Sequence, residues 1–181
     1  MKYKPQNKDE LKALVGDNSV FLGDIDTSLI KDMRSLFEAN VLDGVERSDF
    51  SGIESWDTSN VVDMGFMFHN CHSFNAPIVC WDVSNVRDMD KMFGGCYLFN
   101  QPLNAWNTSN VRDMHCMFAM CLSFNQPLNA WDVSKVKFMY RMFENCINFN
   151  QNLNEWKVKK SCENYSMFEG AAMNNLPKWY K

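Results

Sequence analysis

A tryptophan recurs every 25 residues through most of this chain, at Trp56, Trp81, Trp106, Trp131 and Trp156. Other columns keep the same step: Met64, Met89, Met114 and Met139; Phe68, Phe93, Phe118, Phe143 and Phe168; Cys71, Cys96, Cys121 and Cys146. Phe74, Phe99, Phe124 and Phe149 follow it too, each trailed by an asparagine at 75, 100, 125 and 150. A fixed period of roughly 20–50 residues marks a repeat array. A unit this short cannot close a core alone and buries its apolar face on its neighbours.

Two local patterns sit inside each unit. Met89, Met92, Phe93 and Cys96 fall at i, i+3, i+4 and i+7, the spacing of one helix face. Asp88 precedes them, as Asp32, Asp63 and Asp113 do elsewhere, in the position of a helix N-cap. Around the tryptophan, Trp106–Asn107–Thr108 and its copies alternate apolar and polar, the mark of a short strand. Strand–helix units joined without hairpins predict an α/β solenoid, with short parallel strands on the concave face and short helices on the convex one. Burying each Phe or Met contributes about 1.5–3 kcal/mol, so stacked copies make a core.

The organisation predicted is one solenoid domain over 1–181. Residues 1–24 form an N-terminal cap, with a helix from Asn7 to Val15 turning Leu11, Leu14 and Val15 inward. Residues 25–55 are a degenerate first repeat with Ile25 in the tryptophan column. The step from Ile25 to Trp56 is 31 residues, six longer than the rest, which predicts a bulged loop between Glu38 and Ser55. Residues 56–155 are four regular repeats, and 156–181 a degenerate repeat with a C-terminal cap.

The runs "WDTSNVVDMGFMF", "WDVSNVRDMDKMFGGC" and "FNQPLNAWNTSNVRDM" resemble the BspA-type leucine-rich repeat, a family that includes a mycoplasma domain of unknown function. The resemblance spans Ile25 to about Phe168. It implies a right-handed, leucine-rich-repeat-like solenoid and a family of bacterial surface proteins, some with roles in adhesion to host proteins. Here Trp, Met and Phe occupy the columns that leucine usually fills.

Net charge is −4, which excludes a dedicated nucleic-acid surface, since phosphate contacts need concentrated Lys and Arg. The N-terminus "MKYKPQNKDELKALVGD" lacks the apolar run of a signal peptide, and no stretch approaches the ~20 apolar residues of a membrane span. The chain as written therefore reads as cytoplasmic, although the family is often surface-displayed. Seven cysteines read as structural thiols, because their column ends in Ala171, a small apolar residue; Cys80 and Cys116 lie off it and read as the more reactive pair. His69 and His72 flank Cys71 as a metal half-site without further ligands, so neither metal nor cofactor is expected. Ser59, Ser84, Ser109 and Ser134 have no histidine beside them and read as turn residues. No phosphate loop, nucleophile elbow or catalytic carboxylate pair is present, and repetition argues against the unlike groups an active site needs.

The expected function is a non-catalytic interaction module whose partner is another protein. Its binding face is expected around Ser55, Asp57, Cys80, Asp82, Ala105, Asn107, Ala130, Asp132 and Glu155, the residues beside the tryptophans. Self-association through an imperfectly capped end, or through Tyr97 and Tyr140, is the alternative. A thiol or metal redox role ranks last.

Overall fold

The computed structural model describes residues 1–39 and 47–180. Residues 40–46 of the bulged loop predicted between Glu38 and Ser55 lie outside the described residues. Among the described residues, regular helix is confined to α1 (Lys8–Gly16) and two three-residue 3-10 turns, Leu22–Asp24 and Ile53–Ser55. Asn7 caps α1 by accepting the Glu10 N–H on its side chain, and Leu11 and Val15 are its buried residues.

The strand-and-helix solenoid expected from the sequence is overturned. Among the described residues there is no sheet, only isolated parallel bridges, and no helix lies in the repeats. The molecule is instead a stack of mainly irregular 25-residue rungs. The bridges join Asp32, Asp63, Asp88, Asp113, Phe138 and Glu163 in succession, marking six rungs.

The segment read as a helix is the backbone ladder between rungs. Met64, Phe66, Phe68 and Asn70 donate their N–H groups to the carbonyls of Asp88, Asp90, Met92 and Gly94 on the next rung, at 2.7–3.0 Å. Every later junction repeats this pattern. Two features replace the helix. The aspartate that looked like an N-cap closes an Asx turn: Asp63 Oδ1 accepts from the Gly65 N–H at 2.9 Å and Asp88 Oδ1 from the Asp90 N–H at 3.0 Å. Left-handed residues then interrupt the run twice per rung, at Phe66 and Asn70 (φ 57° and 61°), and again at Lys91 and Gly95. Each is the third residue of a turn, closed for example by Met67 N–H to Met64 O and Cys71 N–H to Phe68 O. The i, i+3, i+4, i+7 spacing survives because two linked turns also return every third or fourth side chain to one side.

The tryptophan segment is likewise not a strand. Asp57 Oδ1 accepts from the Ser59 N–H, and the Val61 N–H closes a turn on Thr58 O. Side chains bind the rungs there. The Trp81, Trp106, Trp131 and Trp156 indoles donate to carbonyls of Ile53, Ile78, Leu103 and Leu128 on the preceding rung. Thr27, Thr58 and Thr108 hydroxyls donate to Asp57, Asp82 and Asp132 carbonyls on the following rung.

Inside, the columns stack on themselves. Phe68, Phe93, Phe118, Phe143 and Phe168 lie 5.6–5.8 Å apart between ring centroids, within 15° of parallel. The cysteine column packs beside them, and its thiols donate to a carbonyl one rung back, Cys121 to Phe93 O at 2.9 Å and Cys146 to Phe118 O at 2.8 Å. Asparagines 75, 100, 125 and 150 form an amide ladder: each Oδ1 accepts the N–H of the next, at 3.0–3.1 Å, the last from Asn174. They do so at the surface, Asn100 being the half-buried member, and not in a buried position. The tail continues the last rung, with Trp179 stacked 6.1 Å from Trp156 and bonded to Leu153 O.

Candidate functional site

All nine residues expected at a binding face are exposed. They do not line a concave sheet, because no sheet exists among the described residues; they occupy the outer turns on either side of the buried tryptophans. Asp57, Asp82 and Asp132 each hold an Asx turn with the serine two residues on, and Asn107 does the same by its amide oxygen at 3.2 Å. The serine hydrogen bonds hold the Asp82 and Asp132 carboxyls below the usual carboxylate range. Cys80 Sγ rests on Glu54 O at 3.2 Å, and the Ala130 N–H is bonded to Asn104. Ser55 bonds back to Gly52 O. Ala105 and Glu155 complete the row.

A second surface, missed in the sequence, lies over the ladder. The residue two places after each bridge position lies over the ladder and differs on every rung until the last two, Arg34, Gly65, Asp90, His115, Tyr140 and Tyr165, with Gly65 and Asp90 buried among them. Arg34 reaches across Gly65 to Asp90, with Nη1–Oδ1 at 2.7 Å and Nη2–Oδ2 at 3.1 Å, a two-pronged pair spanning two junctions. A side chain at 65 would collide with that pair, so glycine is required there for space. Arg34 also lies 3.5 Å from Asp63 and 3.7 Å from Asp88, and its guanidinium sits over the Phe66 ring at 4.8 Å. His115 Nδ1 is 2.7 Å from Asp113 and its Nε2 3.7 Å from Asp90. Its ring begins an aromatic file with Tyr140 at 4.7 Å and Tyr165 at 4.9 Å. Burial, followed by the Asp90 and Asp63 carboxylates, pushes Asp88 up to about 7. The available signal is the column itself: it varies from Arg34 to His115 while the Asp and Met that precede it repeat on those rungs.

The groups weighed for metal or thiol chemistry do not converge. His69 faces Glu38 at 3.2 Å, with its pKa lowered by burial, whereas His72 bonds Gly95 O and stacks on Tyr97 at 4.3 Å. Among the described residues no three His, Cys, Asp or Glu side chains are placed to share a metal ion. Burial raises the thiol pKa at Cys116 and Cys121, to about 12 at Cys146 and to about 11 at Cys162. Those thiols stay protonated near neutral pH, where the thiolate is the nucleophile. Cys116, expected to be reactive, is half-buried and left-handed (φ 52°). No described helix is long and apolar enough to cross a membrane.

The family described as Mycoplasma protein of unknown function, DUF285, matches over residues 9–119 and again over 77–179. The two matches overlap, as one profile does when it slides along a repeat. No curated protein and no solved structure matches the chain.

Proposed function

From the premise that this chain belongs to the family of Mycoplasma proteins of unknown function, DUF285, we propose that it is a non-catalytic protein-interaction module. One observation carries the reading. The repeated letters are spent inside the stack, as buried rings, thiols and methionines or as turn and ladder bonds. What stands outside is the carboxylate-rich row beside the tryptophans, held in fixed register by its turns, and exposed side chains on a rigid frame are what recognition requires. The resemblance to BspA-type repeats supports the same reading, with a protein on a host or neighbouring surface as the partner.

The binding row is Asp57, Asp82, Asn107 and Asp132 with their exposed neighbours. Its test is the triple variant Asp57→Asn, Asp82→Asn, Asp132→Asn. Asn107 already closes the same turn, so the variant removes three charges and keeps the turns. Capture of binding proteins by the immobilised chain, quantified by mass spectrometry, should drop about tenfold for at least one specific partner. The unfolding midpoint should stay where it was. Undiminished capture of every partner rejects this row as the binding face.

A further inference from the structure

The ladder has a direction, and its two ends are complementary. At each junction four backbone N–H groups donate forward to carbonyls of the next rung, and a bond such as Arg87 N–H to Val62 O runs the other way. On the last rung, among the described residues, the N–H groups of Asn164, Ser166, Phe168 and Gly170 meet no acceptor. On the first rung, again among the described residues, the carbonyls of Asp32, Arg34, Leu36 and Glu38 meet no donor. The two sets occupy the same columns: Met64 N–H to Asp88 O is the internal counterpart of Asn164 N–H to Asp32 O.

The ends differ in what covers them. At the last rung Trp179 and Tyr180 close the apolar cross-section, Tyr180 standing edge-on to Phe168 at 5.1 Å, without accepting from the row of donors. At the first rung α1 lies along the acceptor row. Lys8 pairs with Asp32 at 3.1 Å, and Lys12, Val15 and Gly16 share a hollow with Leu36, Phe37 and Glu38. On α1 only Leu11 and Val15 are buried, and Arg47 tethers the end of the helix through the carbonyls of Val15 and Asp17.

We infer that the last rung is an assembly edge for a second copy of this chain, whose first rung supplies the carbonyls once α1 of that copy and the Trp179–Tyr180 tail of this one swing aside. The edge presents four N–H donors beside the carbonyl of Cys162, so two last rungs would set donor against donor, and association is head to tail and open-ended, not a closed dimer. α1 is the gate: while seated it keeps the acceptor row from a second molecule. This inference does not depend on the binding row proposed above, because Asp57, Asp82 and Asp132 take no part in the junction.

Register makes the test specific. The bridge series through Phe138 and Glu163 continues in the assembly to Asp32 of the next copy, at a spacing of about 4.8 Å that suits a disulfide. The chain carrying Asp32→Cys and Glu163→Cys, both at exposed positions, should on oxidation form intermolecular chains linked between positions 32 and 163. Linked peptides identified by mass spectrometry separate this link from those of native thiols. Adding Val15→Ala, which loosens α1, should speed the linking about tenfold. A mismatched pair, Asp32→Cys with Glu169→Cys, should stay unlinked. Tryptophan fluorescence checks that each variant keeps its stack. The assembly edge is overturned if no 32–163 link forms in either background at millimolar protein, or if the mismatched pair links as fast. The gate is overturned if Val15→Ala leaves the rate unchanged. Sedimentation of the Val15→Ala chain with no added cysteines is the second measurement: growth with concentration supports the assembly, and a strict monomer overturns it. Loss of capture by the triple Asp→Asn chain bears on the binding row alone, so the two ideas fail separately.

Discussion

Asp88 shows how one position can read as a cap in the sequence and act as something else in the fold. Its Oδ1 holds an Asx turn on the Asp90 N–H, and around it stand Asp63, Asp90, Asp113, Arg34 and His115. Burial and the neighbouring carboxylates raise its pKa from 3.8 to about 7. A carboxyl raised in the folded state binds its proton more tightly there than in the unfolded chain. The folded state is therefore favoured by low pH, and that advantage is lost as pH climbs from about 4 to 7. Asp88→Asn keeps the turn acceptor and removes the titration. Urea unfolding should show the variant gaining stability over the parent at pH 8, with the gain vanishing at pH 4. An equal difference at both pH values would contradict the assignment. His69, whose pKa is lowered by burial, titrates equally in both chains and drops out of the comparison.

At the scale of the element, a rung is a string of turns, and the cost is carried by left-handed residues. The second left-handed position of the second to sixth rungs reads Asn70, Gly95, Met120, Asn145, Gly170. Asn and Gly are the residues that tolerate this conformation, so the column is legible in the letters themselves. The methionine and phenylalanine spacing masks it, because that spacing reads as a helix. Met120 is the exception, exposed and at φ 60°. Met120→Gly should stabilise the chain by about 0.5–1 kcal/mol, the relief of left-handed strain less the entropy glycine brings to the unfolded chain. Asparagine is the poorer replacement, since Asn70 and Asn145 each fill the space above the glycine that follows them on the next rung. Thermal unfolding reads the result: a midpoint that falls in the glycine variant would show that Met120 contributes contacts worth more than the strain.

For the whole molecule, the 25-residue period is a mechanical tolerance. Tryptophan, phenylalanine, cysteine and asparagine columns each bond or stack on their own kind or its neighbour one rung away. Removing one whole unit, residues 82–106, joins matching columns and should leave a shorter chain that still unfolds cooperatively, with less stability in proportion to the lost junction. Removing residues 82–105, one fewer, shifts every downstream column against its partner. That chain should lose the sharp transition in far-ultraviolet circular dichroism. Equal behaviour of the two deletions would mean that the columns do not set the register.

The period, the columns and the identity of the core residues were determined by the sequence alone, because stacking identical rungs demands identical letters at a constant step. The same logic locates the amide ladder at 75, 100, 125 and 150 and the helix over the first residues. The sequence also separates the repeated letters from the exposed ones beside the tryptophans. It does not determine the path of the backbone within a rung. Spacing at i, i+3, i+4 and i+7 is met by a helix and by a pair of linked turns alike, and an aspartate ahead of it serves an N-cap or an Asx turn equally well. The choice rests on where the N–H groups of residues such as Phe66 and Asn70 find acceptors. Those acceptors lie on the next rung, 24 residues away, out of reach of any local pattern. Tertiary structure also decided the Arg34–Asp90 pair, which joins residues 56 positions apart across a glycine. Only the stacked chain brings that charge, His115 and the Tyr140–Tyr165 file onto one face.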